Sequence, residues 1–350
     1  MVKLENNTNS KIDEIQVHKC MLQDLTRNSA YQKAIFDNKD NFNGKIVLDV
    51  GAGTGILSVF CAQAGAKRVY AVEASDIYKL AEEIVEENNF KDVITVIHSC
   101  VEDVTLPEDG KVDIIVSEWM GHFLLHEGML DSVIWARDKF LRSNGLIFPE
   151  NVTLYSTPCR VPSLNEDWKN VNGVSMVSFC NKLKTKSTNS PIIMNIKPEH
   201  LLSEPEIILW LDMREVTLED IRCNKIQHLA VTDKPGRYQG ICLWFTCSFP
   251  STLLEPVVLS THPEDPSTHW KQTVIALPAD ISVEKGQPIA YEIIIRRSEH
   301  DRRKYGLELE MLDADDVTHP EYCNCFKTKC ILTRAVLEKY ENNAFSNKKL

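Results

Sequence analysis

In SEWMGHFLLHEGML (Ser117–Leu130), Glu118 and Glu127 sit among Trp, Met, Phe and Leu with no Lys or Arg between them. A buried carboxylate without a partner is costly, and two close together drive one of them to take up a proton. Either both face water, or they converge on a cation that the segment itself does not supply. They are nine residues apart, about two and a half helical turns at ~3.6 residues each, so one straight helix would place them on opposite faces. Convergence requires the chain to turn between them, and Gly121 is available for that. Alternatively, Glu127 caps a helix over 128–142 and Glu118 is an ordinary strand-end residue.

A second group with chemical content is VLDVGAGTGIL (47–57), where Gly51, Gly53 and Gly55 follow a continuous apolar strand and open a helix pattern. That arrangement suits a ligand at the carboxyl edge of a parallel sheet. A dinucleotide site wants G-x-G-x-x-G, but here the spacing is G-x-G-x-G and Ile56 takes the place of the third dinucleotide glycine. Asp49 precedes the glycines, where a carboxylate would repel a pyrophosphate. The ligand expected is nucleoside-like without phosphates, and Glu73, ending the next strand, is placed to accept from ribose hydroxyls. Glycines alone could make only a tight turn; the pairing with Glu73 carries the weight.

The elements around these groups alternate. KIVLDV (45–50), RVYAVE (68–73), VITVIH (93–98), VDIIVS (112–117) and GLIFPE (145–150) read as strands. Helix patterns run over 12–36, 56–64, 77–88 and 128–142. Strands apolar on both faces and alternating with helices predict a parallel, doubly wound sheet. After Pro149 the texture changes: VTLYSTP, EIILWLDM, GICLWFTCSF, EPVVLST, KQTVIALP, IAYEIII and LELEML are strand-like and separated by Pro, Gly and Asp turns. They predict a mostly antiparallel second domain. The boundaries expected are a helical segment at 1–40, the α/β domain at 41–150 and the antiparallel domain at 151–350, with an excursion at about 160–200.

Charge stands at 39 Lys+Arg against 50 Asp+Glu, a net of -11, which argues against a phosphate-backbone binder and favours basic partners. Eleven scattered cysteines, an odd number without a C-x-x-C pair, point to a reduced compartment. The N-terminal residues hold no apolar signal core, and no apolar run reaches the ~18 residues of a membrane span. A cytoplasmic or nuclear protein is expected. His319, Cys323, Cys325 and Cys330 have no standard zinc spacing and fall where a last strand of the second domain, after LELEML, is expected from likeness to known folds, so no metal is assigned.

Together these motifs carry a family resemblance. D-x-G-x-G-x-G with a strand-end acid resembles the S-adenosylmethionine (SAM) methyltransferases. SEWMGxxLxxExML resembles one family among them, the protein arginine methyltransferases with their two-glutamate hairpin. STHW (Ser267–Trp270) resembles that family's Thr-His-Trp loop, and the likeness runs from about Ile15 to Leu312. It implies a SAM-binding Rossmann-like domain, an antiparallel β-barrel and a helical dimerisation arm. The missing cation would then be a substrate guanidinium, held bidentately by Glu118 and Glu127. Arg27 matches the residue that grips the SAM carboxylate, and Glu102 the acid that accepts from the adenine amino group. Asp24 and His269 match a proton-relay pair, while Met21, Met120 and Trp270 match the guanidinium pocket. Met21 and the Thr-His-Trp loop match the branch that makes mono- and asymmetric dimethylarginine. Implied partners are Arg/Gly-rich basic proteins or histones as substrates, and a second copy or a related chain as dimer partner.

Three departures stand out. The family's two lid tyrosines fall on Thr8 and Ile12. His122 and His126 stand where tyrosines are common, and NGVSM (172–176) replaces the usual arm motif YGFDM. A nearly inactive paralogue acting as a scaffold partner is the competing expectation.

Overall fold

The computed structural model describes residues 2–4, 14–107, 110–165, 168–187, 190–251 and 255–346. Thr8 and Ile12 lie outside them. Helices α1 (Glu14–Gln23) and α2 (Leu25–Asp37) precede the first sheet. A single helical pattern was expected over 12–36, but the chain breaks at Asp24. Its carboxylate accepts the Arg27 N–H at 2.9 Å, so an internal Asp has become an N-cap. α2 buries Ala30, Tyr31, Ala34 and Ile35, an i, i+3/i+4 face. Tyr31 is fully buried, donates to the Ser117 carbonyl at 3.0 Å and meets Phe249 edge to face. Asn38, at the end of α2, donates to the Pro250 carbonyl at 2.7 Å. This helix therefore ties the two halves of the chain together.

The parallel sheet contains β1 (Ile46–Val50), β2 (Arg68–Glu73), β3 (Ile94–His98), β4 (Val112–Val116) and β5 (Leu141–Phe148). Their order is β3-β2-β1-β4-β5, and every neighbouring pair is parallel. Helices α3 (Ile56–Gln63), α4 (Tyr78–Glu87) and α5 (Leu130–Phe140) form the connections. Chain order reverses between β1 and β4, which opens a crevice at their carboxyl ends.

Two antiparallel sheets follow. One is built on β6 (Asn151–Cys159), β7 (Glu206–Asp212), β9 (Gly236–Ser248) and β10 (Gln272–Val283), with short edge strands at Ile192–Met194 and Val258–Ser260. The other pairs β8 (Cys223–Val231), β11 (Pro288–Arg297) and β12 (Tyr305–Leu312), with Val2–Leu4 on its free edge. Inner faces such as Leu154, Ile241 and Phe245 from one and Ile293, Ile295 and Leu307 from the other share a core, giving a loose barrel rather than one continuous ring. The excursion holds a short hairpin (Asn170–Val171 with Val174–Ser175) and helix α6 (Val177–Ser187). Trp168 and Phe179 pack edge to face there, yet both remain more than two-fifths exposed.

Beyond β12 the expected strand around Cys323 is absent. Asp313–Lys327 forms a compact knuckle, and helix α7 (Thr328–Ser346) begins immediately after it. Among the described residues, no helix is long and apolar enough to cross a membrane.

Candidate active site

The carboxyl ends of β1, β2 and β4 converge on a cleft of about 650 Å³, closed by α1 on one side and by the loop before β10 on another. That size lies within the ~300–1,000 Å³ typical of small-molecule sites. Met21, Arg27, Gly51, Gly53, Glu73, Glu102, Glu118, Met120, Glu127, His269 and Trp270 all line it. Three sequence candidates do not. Gly55 lies behind the loop against Ala81, Asp24 sits beneath His269, and Asp49 is buried under the glycine loop.

The glycine loop is left-handed at Gly51 (φ +72°) and Gly53 (φ +55°), a conformation that side chains disfavour. Carboxylate Glu73 reaches back to it, accepting the Gly53 N–H at 2.8 Å through Oε2 and the Ser75 N–H at 2.8 Å through Oε1. Asp49 accepts from Ser58 Oγ at 2.7 Å and so fixes the first turn of α3 to β1. Burial, reinforced by the nearby charge of Glu73, lifts its carboxyl to about 7 despite the Ser58 bond. Glu102 accepts from Ser132 Oγ at 2.7 Å, joining the floor of the cleft to α5.

The glutamate hairpin is an irregular loop, not a helix. Gly121 and Leu124 exchange backbone hydrogen bonds at 2.9 Å, and a Cβ on Gly121 would lie 2.0 Å from the His126 carbonyl oxygen. Only glycine permits that approach, so the turn falls where the sequence made room for it. Glu127 caps nothing: the α5 N-cap is Met129, and Glu127 itself is left-handed at φ +84°. Both glutamates face one cavity.

Their electrostatics differ. Glu118 Oε2 accepts from Arg27 Nε at 3.0 Å and Nη2 at 2.9 Å, with both side chains under one-tenth exposed. A cation from α1–α2, 91 residues away, therefore serves Glu118, which corrects the reading that the hairpin waits wholly on an incoming partner. Among the described residues, no Lys or Arg is paired with Glu127. Desolvation by the surrounding protein, then the charge of Glu118, raise its carboxyl to about 7, against a smaller opposing effect of His269. Its side chain is nonetheless 64% accessible in the open cleft, so water damps the rise. His126 Nδ1 lies 3.9 Å from Glu127 Oε1. That ring is held neutral by burial and by His122, which lower its pKa to about 4.

Asp24 binds the loop from the second domain. Its Oδ2 accepts both the His269 backbone N–H at 2.8 Å and ring Nδ1 at 2.7 Å. Burial alone would raise this carboxyl, but hydrogen bonds from the His269 ring and the Arg27 and His269 N–H groups hold it below its ordinary value. An ionised carboxylate only accepts, so Nδ1 carries a proton, and whenever the ring is neutral Nε2 presents the lone pair. Trp270 Nε1 donates to the Met120 carbonyl at 2.7 Å, and Thr273 Oγ1 to that of His122 at 3.0 Å, locking the hairpin to the antiparallel domain.

Sequence reasoning missed His18, Met129, Ser132 and Arg303 as cleft residues. His18 precedes Met21 by one turn on the same helix, so helical spacing could have flagged it. Arg303 reaches the cleft only through the β11–β12 turn and leaves no local signal.

The cleft fits SAM on its own features: a left-handed glycine loop and a strand-end carboxylate bonded to it. Comparisons agree. Residues 151–313 match the family model "Arginine methyltransferase oligomerization subdomain", and residues 34–134 match that of ribosomal protein L11 methyltransferase. Protein arginine N-methyltransferase 6 of Danio rerio is 40% identical over 313 residues, covering 87% of this chain and 89% of that protein. Protein arginine N-methyltransferase 1 of Saccharomyces cerevisiae is 37% identical over 302 residues, covering 85% of each. Among solved structures, the Trypanosoma brucei PRMT1 enzyme-prozyme heterotetrameric complex with AdoHcy superposes with a TM-score of 0.74 at 30% identity, over 87% of this chain and 96% of that one. The structure of PRMT6-SAH gives 0.73 at 30% identity, over 85% and 100%. With this coverage, this identity and this cleft, the chain belongs to the protein arginine N-methyltransferase family, SAM-dependent transferases whose methyl acceptor is the guanidino group of arginine in proteins.

Proposed function

We propose that this chain forms mono- and asymmetric dimethylarginine in Arg/Gly-rich basic proteins or histones, acting as a dimer. The observation that carries the reading is the unequal pair: Glu118 held by Arg27, and Glu127 beside it without a cation. A substrate guanidinium supplies the charge that Glu127 lacks, and its planar fork matches two carboxylates. When bound, SAM supplies an electrophilic methyl group on its sulfonium. The protein's own residues then position and neutralise. Glu118, pre-oriented by Arg27, and Glu127 fix the guanidinium plane. Arg27 has five N–H groups and spends three on Glu118 and Asn28, so the remainder suit the carboxylate end of SAM. Nε2 of His269, aimed by Asp24, accepts the proton released on transfer. Met21 and Met120 border this region in the same cleft, which favours the branch implied by the Thr-His-Trp loop.

The test is transfer from radiolabelled SAM to a capped Arg-Gly peptide and to histones, with SAM affinity measured on the same sample. Methylarginine, resolved into its forms by chromatography of the hydrolysate, is the expected product. Glu127→Gln is expected to abolish transfer while SAM affinity stays within a few-fold. SAM binding without transfer by the native dimer would replace this reading with that of a scaffold paralogue.

A further inference from the structure

The knuckle after β12 brings together four side chains that the methyl-transfer site does not use. His319 Nδ1 lies 3.4 Å from Cys323 Sγ, 3.4 Å from Cys325 Sγ and 3.1 Å from Cys330 Sγ, and all four donor atoms fall within 4.8 Å of one another. The cysteines are almost fully buried and none is in a disulfide. One imidazole lone pair can accept from only one thiol at a time, so three sulfurs crowded on the same nitrogen leave the set short of a shared partner. A cation at the centre satisfies all four.

We propose that His319, Cys323, Cys325 and Cys330 form a structural zinc site. Zn–S of about 2.3 Å and Zn–N of about 2.0–2.1 Å in a tetrahedron give donor separations of roughly 3.5–3.8 Å, within about 1 Å of those present. The groups around the four ligands hold them in place. His319 Nε2 is bonded to the Ala314 carbonyl at 2.8 Å; a carbonyl only accepts, so Nε2 carries the proton and Nδ1 is bare, the tautomer a metal requires. Arg334 Nη1 donates to the carbonyls of Cys323 and Cys325, fixing the backbone that presents the two sulfurs. Binding releases three thiol protons and leaves a net charge of -1 on the complex, with Lys329 lining the same recess as His319 and Cys330. Three thiolates and an imidazole suit zinc, and four protein donors leave no open position for catalysis.

The site's place explains its use. Cys330 belongs to the first turn of α7, while Cys323 and Cys325 pack on Leu229 and Ala290 of β8 and β11. The Phe326 N–H bonds the Gly286 carbonyl at 2.9 Å in the β10–β11 turn. Zinc would therefore pin the terminal helix to the outer face of the barrel. All four residues lie beyond 151–313, outside the stretch matching the family model. Two features of the sequence speak against zinc, a non-standard ligand spacing and an expected strand; the knuckle removes the strand, and the clustering in space stands in place of a spacing motif.

Full-length protein, purified in reducing buffer without chelator, should contain about one zinc per chain by elemental analysis, and Cys325→Ser should lose it. Because Cys325 is fully buried and its loss also disturbs packing, the native protein should be stripped with a chelator as well. A lowered melting temperature should recover on adding zinc, and one equivalent of Co²⁺ should give a tetrahedral, sulfur-ligated spectrum. Native protein that holds no metal and takes up neither ion overturns the proposal. A disulfide between two of the three cysteines in non-reducing peptide maps overturns it equally.

Discussion

Arg27 and Glu118 form a buried ion pair across the cleft, with Nε and Nη2 both on one carboxylate oxygen at 3.0 and 2.9 Å. It joins the start of α2 to the end of β4 and divides the two hairpin glutamates into one that is served and one that is waiting. Removing one member of a buried pair strands the other's charge, which costs about 3–5 kcal/mol. Arg27→Met should therefore be strongly destabilised in chemical denaturation. The double variant Arg27→Met/Glu118→Leu should lose at least about 1.5 kcal/mol less than the two single losses added together. Additive losses would show that the pair is not a stabilising unit.

The raised carboxyl of Glu127 makes substrate capture pH-dependent. A guanidinium favours the ionised form, so binding draws on a species whose fraction grows as pH rises through about 7. With apparent affinity scaling as that fraction, a capped peptide without His or acidic residues should bind more weakly at pH 6 than at pH 8, by less than the roughly tenfold of an undamped shift because water reaches the Glu127 side chain. Glu127→Gln should bind weakly at both and show no slope. The sign for stability is opposite. A carboxyl raised in the folded state lets that state hold the extra proton, so this group's contribution declines as pH rises from the ordinary Glu range to about 7. A wild-type peptide titration flat between pH 6 and 8 would remove Glu127 from the role.

Assembly should depend on the excursion between β6 and β7. Trp168, Val174, Val177 and Phe179 leave large apolar area in water on one small hairpin-and-helix unit, and such clustering marks an interaction surface. Phe179→Asp places a charge there without touching the cleft. It should turn a dimer into a monomer in light scattering, with the melting curve of the barrel little changed. A dimer that survives both this change and Trp168→Ser would move the interface elsewhere.

What could be read from the chain alone followed how local the physics is. The five parallel strands announce themselves as apolar runs buried on both faces. The glycine loop and the hairpin turn are legible because left-handed or crowded backbone demands glycine. Arg27 as the partner of Glu118 is not, because nothing local links positions 91 residues apart. The break at Asp24 was hidden because apolar spacing continues through Met21, Leu22 and Leu25, and only the capping geometry shows that the helix restarts. The strand expected within 313–330 rested on the family resemblance and not on local pattern, and the knuckle has no such signal because side-chain clustering, not sheet pairing, organises its backbone.

Two glycines should separate cofactor binding from substrate alignment. At Gly51 a Cβ would lie 2.1 Å from Met129 Cε, the mobile end of a side chain that can move away, while the left-handed φ of +72° still strains an alanine. Gly51→Ala should cost about 1–2 kcal/mol of stability and weaken SAM binding at least tenfold, because the loop that cradles the ligand shifts. At Gly121 the obstacle is the His126 carbonyl at 2.0 Å, backbone that cannot step aside, so Gly121→Ala must open the hairpin. Glu118 stays anchored by Arg27, but Glu127 lies beyond the turn and would lose its place opposite it. Gly121→Ala is therefore expected to keep SAM affinity within a few-fold while transfer to arginine falls by two orders of magnitude or more, the scale on which misplaced reacting groups lower rates. Measuring SAM binding calorimetrically and transfer radiometrically on both variants decides the matter. Equal loss of both functions in Gly121→Ala would mean that the hairpin supports the whole cleft and does not act specifically on the guanidinium.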